Sequence, residues 1–306
     1  MSANIDRRGL LHCMAWVGTG VVWAMAGGVP RSLRIEEAGA ADLAGLSFVQ
    51  ISDSHIGFNK DANTDVPGTL KAAIARIRSL PQAPSFLLHT GDISHLSKPE
   101  EFDLADQLIG EARLQTFYVP GEHDMLVDQG ASYRERYGRG SQGAGWYSFD
   151  QAGVHFVGLV NVVDLKAGGM GRLGDEQLEW LEDDLEGRSA STPIVVFAHI
   201  PMWTIYPEWG WGTEDAGQAL GYLKRFGSVT VLNGHIHQVM QKVEGAVTFH
   251  TAMSTAFPQP RPGAADSPGP MKVPADRLRG LLGICDVDFR PQTGTLAVVD
   301  QPLASA

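Results

Sequence analysis

Cysteine is almost missing from this chain. Of 306 residues only Cys13 and Cys285 are cysteines. Cys13 falls in an N-terminal stretch that reads as an export signal, so the mature chain would keep Cys285 alone and an intramolecular disulfide is excluded. Positive charge is also scarce, with 24 Lys and Arg against 35 Asp and Glu and a formal net charge of −11. A nucleic-acid backbone as partner needs a basic patch and is not expected. A small anionic substrate is compatible with this balance if metal ions offset the local charge. Charged residues make up only 19% and apolar ones 43%, which excludes wholesale disorder and calls for a substantial core. No internal repeat or strong boundary marks a second domain.

The N-terminus carries Asp6-Arg7-Arg8-Gly9-Leu10-Leu11, which resembles a twin-arginine export motif, followed by a moderately apolar run to about Val29. Ala24-Met25-Ala26 fits a small-x-small cleavage site. The expected division is a signal over residues 1–26, a linker over 27–45 and one domain over 46–301. Export to the periplasm is expected, with no stable membrane insertion once the signal is removed. The twin-arginine route carries proteins already folded, which suits a chain without disulfides.

Five apolar runs each end in residues that bind cations or protons. Leu46–Ile51 leads into Asp53-Ser54-His55, and Ser85–Leu88 leads toward Gly91-Asp92. Thr116–Pro120 leads into Gly121-Glu122-His123-Asp124, Ile194–Ala198 into His199, and Val229–Leu232 into Gly234-His235-Ile236-His237. Short apolar runs bounded by turn signals read as buried strands. Their carboxyl ends are where open α/β sheets gather ligands. One Asp-x-His or Gly-Asp at a strand end is ordinary turn chemistry. Five together describe a metal site, since so many carboxylates and imidazoles cannot face a core uncompensated.

Helical spacing is read over Pro67–Ser79, from a Ser97/Glu100 capping box through about Ala112, over Asp175–Glu186, and over Asp215–Phe226. Hairpins are read at Trp146–Val160 and Val239–His250. The strands Leu281–Phe289 and Thr295–Val299 close a sheet. Met202–Gly212 and the proline-rich Phe257–Pro270 read as loops partly covering a pocket. The class is α/β with antiparallel additions.

The order Asp-x-His, Gly-Asp, Gly-Glu-His-Asp, His, Gly-His-x-His resembles the calcineurin-like metallophosphoesterase superfamily over about residues 46–251. The resemblance implies an αββα sandwich, with two mixed β-sheets flanked by helices. It implies two adjacent ions: Asp53, His55 and His237 on the first, Asp92 bridging, and Glu122, His199 and His235 on the second. Mixed carboxylate and imidazole donors suit two divalent or mixed-valence ions of Fe, Mn or Zn. Such a pair, about 3.5–4 Å apart, can clamp the attacking and leaving oxygens of a phosphoryl group. A hydroxide bridging the ions would attack a small phosphorylated substrate, a mono- or diester. His123 would assist the leaving group, and Asp124 would orient its ring. His95, Trp203 and Tyr206 are candidate pocket residues. His89, His155 and His250 read as packed residues without a metal role.

At one position the pattern departs from the family. Glu122 stands where Asn is usual, so the ligand set carries three carboxylates instead of two. Coordination survives, but attraction for a dianionic monoester should weaken. A trivalent iron, a protonated Glu122 or a less charged substrate such as a diester would each relieve this. The leading expectation is an exported metal-dependent phosphoesterase. The alternative is an exported metal- or ligand-binding protein of the same fold whose catalysis Glu122 has blunted. A phosphatase acting on partner proteins ranks last, since the two loops suggest a covered pocket.

Overall fold

The computed structural model describes residues 45–304 except 164, 166, 167 and 291–294, together with the backbone of 21–26 and 29–34. The Arg7-Arg8 pair lies outside the described residues. Val21–Ala26 (β1) and Val29–Arg34 (β2) pair antiparallel as a hairpin, where the sequence reads the end of a signal and the start of a linker.

The domain follows the expected order of strands and helices, with one unexpected helix over Ala131–Tyr137. It runs through β3 (Leu46–Ile51), α1 (Val66–Arg78), β4 (Leu87–His89), α2 (Pro99–Gly110), β5 (Thr116–Tyr118) and α3 (Ala131–Tyr137). Then come β6 (Tyr147–Gln151), β7 (Val154–Gly158), α4 (Asp175–Leu185), β8 (Ile194–Phe197), α5 (Ala216–Leu223) and β9 (Val229–Asn233). The chain ends in β10 (Gln241–Glu244), β11 (Val247–Thr251), β12 (Gly283–Arg290) and β13 (Thr295–Pro302).

Two mixed sheets result, ordered β13-β12-β3-β4-β5 and β10-β11-β9-β8-β7-β6. Strands β3, β4 and β5 are parallel, as are β7, β8, β9 and β11, while the pairs β3–β12, β12–β13, β6–β7 and β10–β11 are antiparallel. Alternating residues explain the layers. In β8, Val195 and Phe197 face the other sheet, whereas Ile194 and Val196 face α4 and α5. Phe48 stacks on Phe86 (centroids 5.0 Å) and Phe156 meets Phe86 edge-on (5.3 Å) between the sheets. Each such fully buried ring contributes roughly 1.5–3 kcal/mol. Helices α1 and α2 cover the outer face of the first sheet. The architecture is the αββα sandwich. Among the described residues no helix is long and apolar enough to cross a membrane.

Helix starts show where local signals were spent differently. Asp65 caps α1 by accepting from Gly68 N at 3.0 Å, with Pro67 in the first turn and Arg76 and Arg78 in the last. Helix α2 is not capped by Ser97: it starts at Pro99 after Lys98, with no side-chain cap. Ser97 Oγ instead donates to the His123 carbonyl at 2.6 Å and accepts from Leu126 N at 2.9 Å. Glu101, one residue past the expected box, accepts from the backbone of His95 (3.1 Å) and Leu96 (2.6 Å). Ser97 and Glu101 brace the loop beside the site.

Candidate metal centre

The parallel register sets Ile51, His89 and Tyr118 side by side, so the loops after β3, β4 and β5 leave together. The loops after β8 and β9 meet them from the second sheet, with Phe197 paired to Leu232. Asp53 (φ 53°), His55 (41°), Asp92 (54°), His235 (70°) and His237 (54°) all take left-handed backbone conformations. Each costs roughly 1–2 kcal/mol for a non-glycine residue, a strain that persists where a site over-determines it. Glycines allow the approach. A Cβ on Gly121 would fall on the Asp92 carboxylate, and one on Gly91 would lie 2.6 Å from Gly121 N.

The loops bring six of the seven expected ligands together in two groups, Asp53 with His55 and His237, and Glu122 with His199 and His235. In the first, His237 Nε2 lies 3.2 Å from Asp53 Oδ1 and 3.2 Å from His55 Nε2. In the second, Glu122 spans two rings, Oε2 at 2.9 Å from His199 Nε2 and Oε1 at 3.0 Å from His235 Nδ1. Asp92 Oδ2 lies between the groups, 3.5 Å from His55 Nε2 and 3.4 Å from His199 Nε2.

Backbone carbonyls fix the ring tautomers. A carbonyl can only accept, so His199 donates Nδ1–H to Thr90 O (2.7 Å) and His237 to Phe257 O (2.6 Å). Both turn a bare Nε2 inward, the arrangement a ligating imidazole needs. The buried atoms Glu122 Oε2, His199 Nε2 and His235 Nε2 have no hydrogen-bond partner in satisfactory geometry. Buried polar atoms are ordinarily satisfied. The orphaned Glu122 Oε2 and His199 Nε2, with His235 Nδ1 beside the same carboxylate, fit a cation of the Zn, Mn or Fe type.

Charge agrees. Burial opposes ionisation of Asp53, but His237 and His199 hold its carboxyl down at about 2. Burial likewise opposes Glu122, and His235 and His199 hold it well below the usual carboxylate range. Burial would lower His199, but Asp92 and Glu122 carry it well above its ordinary value. His55 is pushed well below, first by burial and then by His123 and His237. The buried carboxylates demand positive charge, and a bound divalent cation would take the place of the proton on His199.

His123 donates Nδ1–H to the His95 carbonyl at 2.6 Å, leaving Nε2 for the pocket that the residue lines. Burial pulls its pKa down, but Asp92, Glu122 and the His95 carbonyl raise it above the ordinary value. Asp124 does not reach the His123 ring. Its buried carboxylate accepts from Ile93 N (3.1 Å), Ser94 N (2.8 Å), Ser94 Oγ (2.8 Å) and Gly121 N (3.0 Å). It ties the loops of Asp92 and Glu122 together, and the orienting role expected of it belongs to the His95 carbonyl.

A cavity of about 890 Å³ opens over the centre, lined by His55, Asp92, Glu122, His123 and His235. His95 lines it as expected, but Trp203 and Tyr206 do not. Trp203 packs on Phe249 (5.1 Å) on the outer face of the second sheet, and Tyr206 packs edge-on against Trp209 (5.1 Å). The tryptophans on the wall are Trp209 and Trp211, joined by Phe58, Lys60, Arg134 and Phe257. Loop order alone does not reveal which of several aromatics turns inward. Phe257, Gln259 and Pro270 do bring the proline-rich segment over the cavity, as the sequence suggested. His89 is packed as expected, 2.8 Å from Ser54 Oγ, with burial lowering it to about 3. His155 lies between Asp150 (2.9 Å) and Asp184 (2.7 Å), and His250 bonds Asp300 (3.0 Å).

An αββα sandwich whose strand ends gather carboxylates and inward-facing imidazoles defines a metal-dependent hydrolase. Residues 46–239 match the sequence model of calcineurin-like phosphoesterases. The chain belongs to that family and is a phosphoester hydrolase. It is 24% identical over 226 residues to a 3',5'-cyclic-nucleotide phosphodiesterase of Nostoc sp., covering 69% of this chain and 79% of that protein. It is also 24% identical over 225 residues to the glycerophosphodiester phosphodiesterase GpdQ of Enterobacter lignolyticus, covering 70% and 79%. Its fold resembles a dimetal phosphatase from Danio rerio (TM-score 0.62, 12% identity, 85% of this chain and 97% of that one). A purple acid phosphatase from yellow lupin has the same TM-score, 0.62, at 12% identity, over 86% of this chain and 52% of its own.

Proposed function

We propose that this chain is an exported phosphodiesterase with a two-ion centre that prefers a monoanionic diester to a dianionic monoester. The observation that carries the reading is Asp92, whose Oδ2 stands 3.5 Å from His55 and 3.4 Å from His199 and so joins two donor groups into one site. Asp53, His55, His237 and Asp92 would hold one ion, and Asp92, Glu122, His199 and His235 the other. Two such ions supply Lewis acidity at the phosphoryl oxygens and lower the pKa of water toward neutrality.

The chain's own groups do the rest. His123, fixed through Nδ1, presents Nε2 to the cavity and gives its proton to the departing oxygen. Asp124 holds the loops of Asp92 and Glu122 in register. The carboxylate of Glu122 adds a negative charge beside the phosphoryl position, which a monoanion tolerates better than a dianion. The relatives named as phosphodiesterases support the same preference.

The test is metal analysis with kinetics on bis(4-nitrophenyl) phosphate and 4-nitrophenyl phosphate after loading with Mn, Zn or Fe. About two ions per chain and faster diester turnover are expected. No recoverable metal, or no turnover of either ester, would sink the reading. Export rests on the N-terminal sequence. Arg7→Lys with Arg8→Lys should strand the protein in the cytoplasm, because the twin-arginine receptor reads the pair itself.

A further inference from the structure

We infer that the diester carries an uncharged apolar arm, an alkyl chain or ring, bound in the part of the cavity away from the ions. This inference rests on the diesterase reading above. The cavity's volume of about 890 Å³ is near the top of the range that holds whole organic ligands, about 300–1,000 Å³, and far exceeds what a phosphoryl group needs. Beyond the ligand residues its wall is mainly apolar, with Phe58, Met125, Leu126, Val163, Trp209 and Phe257 among the lining side chains. Such a wall gives a polyol arm few hydrogen bonds and would strip its hydroxyls of water at a cost. The lining cations, Lys60 and Arg134, can meet the single charge of a diester. Arg134 Nη1 is partly engaged already, donating to the Gln129 carbonyl at 2.8 Å.

A second observation comes from the surface. Among the described residues, six large apolar side chains are exposed; two of them line this cavity and two more are chain neighbours of lining residues. Leu126 (56% exposed) and Val163 (37%) line the cavity itself. Leu96 (41%) and Val127 (69%) follow directly on the lining residues His95 and Leu126. Scattered exposed apolar residues are ordinary, but a cluster at the rim of a cleft marks a place where apolar surface is covered on binding. The apolar arm supplies that cover.

The test compares methyl, butyl and octyl 4-nitrophenyl phosphate on the metal-loaded enzyme, below micelle-forming concentrations. The leaving group is constant, so differences report the arm. A fully buried methylene is worth roughly fourfold in binding, so half-buried methylenes should give about tenfold in kcat/KM from methyl to butyl, mostly through KM. Octyl should gain further until the cavity is full. Replacing Leu126→Asn with Val163→Asn, both exposed and neutral in charge, should erase most of the octyl gain, read as the octyl-to-methyl ratio of kcat/KM within each protein. Methyl turnover with no gain, or a loss, along the series would overturn the inference and leave the diesterase reading standing. A double variant that treats all three esters as the wild type does would also overturn it. Failure on all three esters would overturn both readings.

Discussion

The carbonyl oxygen of His95 accepts the Nδ1–H of His123 at 2.6 Å, and their rings stack with centroids 4.8 Å apart. A main-chain acceptor survives any side-chain substitution at position 95, so the tautomer of His123 is set by the fold. Nε2 is therefore the nitrogen that meets a substrate. His123→Ala should lower kcat by roughly 10²–10⁴-fold, the usual worth of general acid catalysis. Metal content should stay nearly unchanged, and the loss should shrink as the leaving group improves. Equal losses for good and poor leaving groups would remove the acid role.

Asp124 meets donors only: three backbone N–H groups and the Ser94 hydroxyl. Asp124→Ala would leave those buried donors unpaired, at about 1–3 kcal/mol for each that water cannot reach. A net loss of roughly 3–5 kcal/mol is expected, which for a domain of this size lowers Tm by about 6 °C or more. Asp124→Asn should also destabilise, since its amide group would face N–H donors. Thermal unfolding at fixed metal saturation checks both. If the residue oriented the His123 ring instead, Asn would lower kcat and leave Tm in place.

The residues of the candidate centre were legible because each is a polar residue stranded after a buried apolar run, and the structure brings the ends of five such runs together. The sheets followed from the same runs. What the sequence hid were choices between equivalent local solutions. Ser97 followed three residues later by Glu100 matches a capping box, yet Ser97 braces the loop of His123 and the helix starts at Pro99 without a side-chain cap. Helix α3 opens at Gly130 (φ 78°) without a side-chain cap and buries only Tyr133, so no apolar stripe announced it. Trp203 and Trp211 sit in one Pro/Gly-rich loop with no periodicity, and tertiary packing alone sends one to Phe249 and the other to the cavity. Asp124 was misassigned because adjacency to His123 in sequence suggested contact, while the 3-10 turn over Glu122–Asp124 points the two side chains apart.

A stability prediction comes from β12, the strand between β13 and β3 in the first sheet. Burial, and then Asp288, raise the Asp286 carboxyl to about 6 from a reference of 3.8. The folded chain therefore binds this proton more tightly than the unfolded chain. The group costs nothing below pH 3.8, and stability is lost progressively as pH rises toward 6. Unscreened, the shift would be worth roughly 3 kcal/mol, but the side chain is only half-buried, so about 1 kcal/mol is expected. Asp286→Asn keeps an acceptor for Gln301, whose Nε2 lies 3.3 Å from Oδ2. The variant should gain about 1 kcal/mol over wild type at pH 7 and nothing at pH 4, measured by urea unfolding of both proteins at each pH. An equal gain at both pH values would assign the effect to packing.

Glu122 is where charge and coordination separate. Its two oxygens face His199 at 2.9 Å and His235 at 3.0 Å, so under the two-ion reading the carboxylate would serve as a ligand, and one amide oxygen could ligate in its place. Glu122→Asn removes one negative charge and keeps one donor oxygen. A unit charge about 4 Å from a phosphate is worth on the order of 4 kcal/mol at an effective dielectric near 20, before solvent and relaxation reduce it. A dianionic monoester feels the removed charge twice and a monoanionic diester once. The variant should therefore gain roughly tenfold in kcat/KM on 4-nitrophenyl phosphate, mostly through KM, and less on the bis ester. The opposing account gives the second carboxylate oxygen a positive task, holding a trivalent ion or carrying a proton. Asn would then cost activity on both substrates. Metal content measured beside both kinetic series separates the two, since a loss on both esters at full occupancy can only mean that the carboxylate itself is needed.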